Sequence, residues 1–302
     1  MENKVLFHGI LPAMITPVDE NGKLKEKVLR DLLRWEISQG VNGFYLCGST
    51  GEGFLTAPEV RKQMLEITLD ETRGKGLSVI THTGAIDLST TLDLTRHAHE
   101  AGADAVSSVP PIYFIYGENE IVDYYKTMAD AACGTPLLMY GYGAAKLSFE
   151  LVEKILEIDN VIGIKWTFPD YYTMLRIKAL NGGNVNVING PDESLVCGLA
   201  AGADAGIGTT YNVMPKLFCD LYREFKAGNV AAATALQQKI SAVITVMIRY
   251  HAIAATKAIL TEMGFDVGGC QKPLRQIGAD ERKALMREVS GIIDFKEQRI
   301  LS

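Results

Sequence analysis

Lys165 follows directly on an apolar run, at 161–164, and a buried strand end is an expensive place for a lysine. Alternation along a β-strand puts Lys165 on one face and the isoleucines Ile162 and Ile164 on the other, which suits a helix-covered side. We therefore expect Lys165 to point inward. Burial disfavours the ammonium form, and a neutral amine is a nucleophile toward carbonyl carbon. The alternative is a lysine that extends past the strand end to pair with a carboxylate.

Tyr140 ends another apolar run, at 136–140, one predicted strand before Lys165. Neighbouring strands lie about 4.8 Å apart, so two inward side chains at equal heights can share one ligand. A phenol in that place can move a proton to or from a substrate oxygen. The alternative is a core tyrosine whose hydroxyl is satisfied within the protein.

A glycine-rich loop at 48–53 has the sequence Gly-Ser-Thr-Gly-Glu-Gly and follows the second predicted strand. The hydroxyls of Ser49 and Thr50 and the backbone N–H groups between the glycines would form a cradle for a carboxylate. The loop is too short for a P-loop and lacks the Gly-x-Gly-x-x-Gly pattern, which disfavours nucleotide binding. A simple turn is the alternative.

Further polar residues follow the last two predicted strands. Gly190, Asp192 and Glu193 come after the seventh strand, and Thr209 comes after the eighth. The two carboxylates could cap the next helix, or they could accept hydrogen bonds from a polyhydroxylated substrate.

These residues need a framework that brings strand ends together, and the sequence contains eight strand and helix units. The predicted strands are 9–15, 43–47, 78–83, 105–109, 136–140, 161–165, 185–189 and 205–208. The helices predicted between them are 24–39, 58–73, 88–101, 120–132, 148–158, 172–180 and 193–201. Regular alternation predicts parallel strands with crossover helices. Eight units fit an α/β fold of the (β/α)8 TIM barrel type, whose sites lie at the carboxyl ends of the strands.

A short junction between helix and strand recurs at 39–43, 101–105 and 201–205. Glycine ends the helix there, and an Asn or Asp turn redirects the chain. We assign residues 1–228 to the barrel and residues 229–302 to a C-terminal helical extension. The extension is predicted to contain no strands and to pack on the barrel, so that the chain forms a single structural unit.

The composition excludes several function classes. The 302 residues are 47% hydrophobic and 22% charged, which is typical of a globular protein. A protein with a net charge of −6 does not attract nucleic acid or an anionic membrane through its overall electrostatic field. No uncharged stretch reaches the roughly 18 residues that span a bilayer, and residues 1–12 lack a cationic leader. Five cysteines without a Cys-x-x-Cys pair favour the cytoplasm, and five histidines without ligand spacing predict no metal site.

Taken together, the loop at 48–52, Tyr140 at its strand end and the segment 163–165 resemble the dihydrodipicolinate synthase and N-acetylneuraminate lyase family of pyruvate-dependent class I aldolases. The likeness runs from about Leu11 to Asn212. It implies a (β/α)8 barrel, usually a homotetramer, in which Lys165 forms a Schiff base with the keto carbon of pyruvate and no cofactor is needed.

The resemblance also implies roles for other residues. Ser49 and Thr50 would hold the pyruvate carboxylate, Tyr140 would shuttle the proton, and Tyr113 would reach into the site of a neighbouring subunit. The segment 206–212 looks like the N-acetylneuraminate lyase branch. The sugar-contacting residues of that branch correspond to Thr167, Gly190, Asp192, Glu193 and Thr209.

Two departures from the family pattern concern the aldehyde side. The segment 141–146 looks shortened. Separately, residues 141–145 lack the arginine with which dihydrodipicolinate synthases bind a second carboxylate, which disfavours lysine-pathway synthesis. Trp166 is bulkier than usual and is expected to reshape the pocket. We predict a lyase that cleaves an N-acetylneuraminate-like 2-keto acid to pyruvate and an aldehyde, or runs the reverse condensation. Alternatives are a 2-keto-3-deoxy sugar acid aldolase or dehydratase, a dihydrodipicolinate synthase-type condensation, and a noncatalytic sugar-acid-binding barrel.

Overall fold

Eight parallel strands alternate with helices in the computed structural model, which describes residues 4–143, 145 and 147–300. The strands are β1 (Gly9–Pro12), β2 (Gly43–Leu46), β3 (Ser78–His82), β4 (Ala105–Ser108), β5 (Leu137–Tyr142), β6 (Val161–Thr167), β7 (Asn186–Asn189) and β8 (Ala205–Gly208). The helices after them are α1 (Glu26–Ser38), α2 (Pro58–Thr72), α3 (Leu88–Ala101), α4 (Glu118–Ala131), α5 (Phe149–Ile155), α6 (Tyr171–Ala179), α7 (Leu195–Ala200) and α8 (Pro215–Lys226).

The sheet closes on itself. Each strand from β2 to β8 pairs with the next, and β8 pairs with β1. A parallel bridge between Ala13 and Tyr45 joins β1 to β2, and the Met14 N–H donates to the Tyr45 carbonyl oxygen at 2.9 Å. The predicted (β/α)8 barrel is therefore confirmed, and its closure places all eight carboxyl strand ends around one mouth.

The recurrent junction between helix and strand has a defined geometry. Gly102 and Gly202 lie in the left-handed region, with φ of 86° and 93°, where a side chain would be strained. The aspartates that follow them, Asp104 and Asp204, each accept a hydrogen bond from a backbone N–H of the neighbouring strand, at 2.7 and 2.9 Å. The junction therefore ends the helix and fixes the height of the next strand.

A β-bulge in β6 was not predicted. The pairing of β5 with β6 skips one residue at Ile162, which turns into the barrel interior. The expectation that Ile162 faces the helices is therefore wrong, because a bulge interrupts the two-residue alternation. A Cβ on Gly163 would lie 1.9 Å from the Asn186 carbonyl oxygen, so glycine permits the close approach of β7. Alternation resumes after the bulge, and Lys165 points inward as predicted.

The C-terminal extension consists of α9 (Val230–Arg249), α10 (Ala252–Met263), α11 (Ala279–Val289) and a short antiparallel pair, β9 (Ile293–Asp294) and β10 (Arg299–Ile300). The prediction of an extension without strands is wrong, because the Asp294 carboxylate accepts two backbone N–H groups and closes a hairpin. By length and composition alone, α9 could cross a membrane. In the fold it packs against α8 and α10 and buries Ile240, Val243 and Met247.

Candidate active site

Lys165 and Tyr140 lie side by side at the carboxyl ends of β6 and β5. They are partners in the strand register, and the Lys165 amine lies 4.0 Å from the centroid of the Tyr140 ring and 4.9 Å from that of Tyr45. Lys165 is only 5% exposed. Among the residues that the structure describes, no carboxylate forms an ion pair with its amine, which excludes the alternative of a lysine paired at a strand end.

A cavity of about 270 Å³ opens at the barrel mouth beside the Lys165 amine. The sequence predictions placed several residues at this mouth, and the structure brings seven of them to the cavity wall: Ser49, Thr50, Tyr140, Lys165, Thr167, Gly190 and Thr209. They come from β5, β6 and the turns after β2, β7 and β8. The cavity therefore combines one amine, one phenol and several hydroxyls.

The loop after β2 presents its hydroxyls to this cavity. The Ser49 hydroxyl oxygen lies 3.3 Å from that of Tyr140, and the Thr50 hydroxyl oxygen lies 2.6 Å from that of Thr209. The loop folds back tightly, because the Gly53 N–H donates to the Gly48 carbonyl oxygen at 3.1 Å. Hydroxyls grouped in this way can bind a carboxylate while a neighbouring keto carbon faces the Lys165 amine.

Thr167 and Gly190 form a second polar wall. The Thr167 hydroxyl oxygen is buried without a hydrogen-bond partner among the described residues. A Cβ on Gly190 would lie 2.0 Å from that oxygen, so glycine is what allows β7 to end beside it. Because a buried hydroxyl normally has a partner, this unpaired oxygen beside the cavity marks Thr167 as a candidate substrate contact.

Asp192 is buried behind Gly208 and does not line the cavity. Its Oδ2 accepts hydrogen bonds from the backbone N–H and the hydroxyl of Thr210, both at 2.7 Å. A Cβ on Gly208 would lie 2.0 Å from Asp192 Oδ1. Burial raises the pKa of Asp192 to about 6, although the Thr210 hydrogen bonds oppose that shift. In this structure Asp192 holds the turn that carries Thr209, and its contact with a substrate stays a prediction.

Glu193 and Tyr113 also lie away from the cavity wall of their own chain. Glu193 is exposed in a short 3-10 turn before α7, and its carbonyl oxygen accepts the Ser241 hydroxyl at 2.8 Å. Tyr113 is 78% exposed in the loop between β4 and α4 and meets Phe114 edge to face at 5.0 Å. Their predicted roles are not tested by these positions.

Trp166 does not reshape the cavity as predicted. It is fully buried between the barrel and the helices, and its indole N–H donates to the Asp170 carbonyl oxygen at 3.2 Å. The expectation is wrong because alternation along β6 turns Trp166 outward when Lys165 points inward. Of the segment 141–146, Ala144 and Lys146 lie outside the described residues, whereas Tyr142 lines the cavity and stacks on Tyr140 at 5.8 Å.

The sequence reasoning missed the wall that the C-terminal extension supplies. The corner between α9 and α10 contributes four lining residues: Ile248, His251, Ala252 and Ile253. His251 has a φ of 68°, which turns the chain sharply at this corner. No motif in the sequence marks these residues, because only the packing of the extension brings them to the barrel mouth.

A second buried cation beneath the site was also missed. Arg61 donates to the carbonyl oxygens of His82 and Gly84 at 2.7 and 3.0 Å. His82 meets the Tyr140 ring edge to face at 6.0 Å. Burial, together with the charges of Arg61 and Lys165, holds the pKa of His82 well below its usual range, so His82 is neutral. His82 therefore adds no positive charge beside Tyr140.

Within the described part of the chain, no cluster of three or more His, Cys, Asp and Glu side chains is placed to hold a metal ion. His97 instead contacts Glu66 at 2.8 Å, and His99 contacts the Thr135 hydroxyl at 2.9 Å. All five cysteines are free thiols.

Comparison with known proteins gives consistent matches along the chain. Residues 6–292 match the Dihydrodipicolinate synthetase family. The chain is 35% identical to the N-acetylneuraminate lyase of Citrobacter koseri over 290 residues, 94% of this chain and 97% of that protein. It superposes on the Proteus mirabilis N-acetylneuraminate lyase with a TM-score of 0.89, at 30% identity, covering 98% and 99% of the two chains. A catalytic lysine mutant of the Ruminococcus gnavus sialic acid aldolase superposes with a TM-score of 0.90, at 29% identity and 95% coverage of both. The protein therefore belongs to the dihydrodipicolinate synthetase family.

Proposed function

We propose that the protein is a Schiff-base aldolase that cleaves an N-acetylneuraminate-like 2-keto acid to pyruvate and an aldehyde, or condenses the two. The observation that carries the proposal is the buried Lys165 amine, which has no carboxylate partner among the described residues and stands beside the Tyr140 phenol at the cavity. The relatives named N-acetylneuraminate lyase and the neighbour described by its catalytic lysine support it.

The chemistry uses side chains already in place. The Lys165 amine attacks the keto carbon, water leaves, and the resulting imine accepts the electron pair of the breaking C3–C4 bond. The Tyr140 phenol gives its proton to the carbinolamine hydroxyl, which leaves as water. The resulting phenolate, whose oxygen lies 3.3 Å from the Ser49 hydroxyl, takes the C4 hydroxyl proton and later returns it to C3 of the enamine. The enamine is then protonated at C3, and hydrolysis releases pyruvate and regenerates the amine. Because the imine is the electron sink, the reaction needs no cofactor.

The remaining cavity residues would bind the rest of the substrate. Ser49 and Thr50 would hold the carboxylate, and the Thr167 hydroxyl, which has no partner within the described residues, would bind a substrate hydroxyl. Gly190 and Thr209 would complete that side. Asp192 and Glu193, in the turn after β7, would accept hydrogen bonds from substrate hydroxyls.

We also infer that the protein assembles into a homotetramer in which Tyr113 reaches a neighbouring site. The exposed side chains of Tyr113, Phe114 and Ile115 support an interface at this loop, since exposed apolar clusters mark interaction sites. Mass measurement in solution by light scattering tests the tetramer.

Five free thiols support a location in a reducing compartment, the cytoplasm.

Borohydride reduction in the presence of pyruvate, followed by peptide mass spectrometry, tests the central claim. We expect one stable adduct on Lys165, none in Lys165→Met, and an adduct in Lys154→Met, which changes an exposed lysine. An unmodified Lys165 at saturating pyruvate would overturn the mechanism. Pyruvate release from N-acetylneuraminate and from 2-keto-3-deoxygluconate then separates sialic acid cleavage from the keto-deoxy sugar acid alternative. Binding of these acids without pyruvate release would indicate a noncatalytic barrel.

A further inference from the structure

A buried ion pair joins the loop that carries Ser49 and Thr50 to the C-terminal extension. The Lys257 amine of α10 lies 2.5 Å from Glu52 Oε1, and the two side chains are 2% and 0% exposed. In the described part of the chain no donor is aligned for a hydrogen bond to that oxygen, so the contact is electrostatic. The catalytic steps proposed above use neither residue.

Each member of the pair is also bound to backbone. The Lys257 amine donates to the carbonyl oxygens of Thr16, at 3.2 Å, and Gly269, at 2.8 Å. The other oxygen of Glu52 accepts the backbone N–H of Gln271. The pair therefore connects three segments: the turn after β1, the loop after β2 and the chain after α10. Because desolvation offsets much of the attraction between buried charges, added stability is a poor explanation for it.

The loop after β2 needs such support, since its backbone is strained. Glu52 lies in the left-handed region with a φ of 55°, which non-glycine residues keep only when their surroundings hold them. The Thr16 hydroxyl donates to the Gly51 carbonyl oxygen at 2.6 Å, and the Thr56 hydroxyl donates to that of Glu52 at 2.9 Å. The backbone at 51–52 is thus fixed next to Thr50, whose hydroxyl lines the cavity.

We propose that Glu52 and Lys257 are positioning residues that set the loop so that the Ser49 and Thr50 hydroxyls meet the substrate carboxylate. The inference rests on the proposed function, because the ligand it assigns to the loop is the carboxylate of a 2-keto acid. It gives α10 a part in substrate binding, in addition to covering the barrel.

The double variant Glu52→Gln with Lys257→Met removes both charges and nearly preserves both side-chain volumes. The amide oxygen at position 52 can still accept the Gln271 N–H. The matched control is Lys178→Met with Asp204→Asn, which removes a partly buried ion pair of 2.8 Å at the opposite, amino end of β8. The amide oxygen at position 204 can likewise still accept its backbone N–H.

Two readouts test the proposal in the full-length protein. The first is the pyruvate concentration that half-saturates borohydride trapping at Lys165. The second is hydrogen exchange in peptides that cover 48–56, which needs no substrate. We expect the double variant to need about tenfold more pyruvate, because small displacements of binding groups weaken productive binding strongly. The trapped fraction at saturation should stay near that of the wild type, and exchange should accelerate at 48–56. The control should match the wild type in both readouts.

Wild-type half-saturation in the folded double variant overturns the proposal, as do equal changes in the control. If pyruvate does not trap the wild type at all, the proposed function fails, and the exchange measurement then decides the positioning role: faster exchange at 48–56 supports it, and wild-type exchange overturns it. If the double variant does not fold, Glu52→Asp replaces it, because this change keeps the charge and shortens its reach. It should raise half-saturating pyruvate severalfold, and an unchanged value overturns the proposal.

Discussion

The amine of Lys165 lies over the face of the Tyr140 ring, 4.0 Å from its centroid, while the Tyr140 hydroxyl is turned to Ser49 at 3.3 Å. One aromatic residue therefore contributes two separable features to the site. Its ring covers the amine, and its oxygen stands beside the loop that would bind the carboxylate.

Tyr140→Phe keeps the ring and removes the oxygen. We expect trapping of pyruvate on Lys165 to persist, while kcat for cleavage falls by roughly 10²–10⁴-fold, the contribution typical of acid–base catalysis. Steady-state pyruvate release measures kcat, and Tyr172→Phe, at an exposed tyrosine, is the control. A kcat close to that of the wild type would mean that another group moves the proton.

Gly190→Ala should weaken binding of the intact 2-keto acid without weakening binding of pyruvate alone. The new Cβ would lie 2.0 Å from the Thr167 hydroxyl oxygen and 2.9 Å from the Thr167 Cα, so it must displace Thr167 at the end of β6, whereas it meets neither Ser49 nor Thr50. We expect a higher KM for the intact 2-keto acid and little change in half-saturating pyruvate for borohydride trapping. Gly291→Ala, where a Cβ meets nothing within 4 Å, is the control. An equal loss for both ligands would contradict separate subsites.

Asp192→Asn should change how stability depends on pH. The pKa of Asp192 is raised by burial to about 6, so the folded state holds its proton more tightly than the unfolded state, whose value is about 3.9. The contribution of protonated Asp192 to the free energy of unfolding is fully present below about pH 4 and is lost as pH rises through about 6. A pKa difference of about two between the folded and unfolded states corresponds to about 3 kcal/mol in the free energy of unfolding.

The asparagine can still accept both Thr210 hydrogen bonds and does not ionise. Urea unfolding from pH 4 to 7.5 should therefore show the free energy of unfolding of the wild type falling relative to Asp192→Asn. The exposed Asp159→Asn should show no such trend. Parallel curves for the wild type and Asp192→Asn would refute the prediction.

Glu36→Met should stabilise the protein, and most strongly at high pH. Glu36 of α1 is fully buried, neither carboxylate oxygen has a hydrogen-bond partner among the described residues, and burial raises its pKa well above the usual range. The folded state prefers the protonated Glu36 side chain. The free energy of unfolding therefore falls as pH rises and the folded state must either bury the charge or keep the proton. Methionine has a similar volume and removes the desolvation cost.

Thermal unfolding at pH 5 and pH 8 measures this effect. The rise in Tm for Glu36→Met should be larger at pH 8, and Glu153→Met, at an exposed position of α5, should show no pH-dependent gain. A destabilised Glu36→Met would mean that the carboxyl has an essential partner.

The barrel could be predicted because the sequence patterns that indicate it are local. Apolar runs mark the strands, a glycine ends the helix at each recurrent junction, and the strand ends identified Lys165 and Tyr140. Ile162 was misplaced because the prediction assumed strict two-residue alternation, although a glycine inside a strand, here Gly163, often marks a bulge. The wall formed at His251 and Ile253 depends on how a distant extension packs, which no local pattern encodes.

The strands β5 and β6 are six and seven residues long, whereas the other barrel strands have four or five. They carry the phenol and the amine, while the opposite wall is built from turns and from the corner between α9 and α10. Turns and corners tolerate substitution and insertion far better than central strands do. Substitutions at residues 248–253 can therefore change the shape of the cavity while the strands that carry Lys165 and Tyr140 stay unchanged.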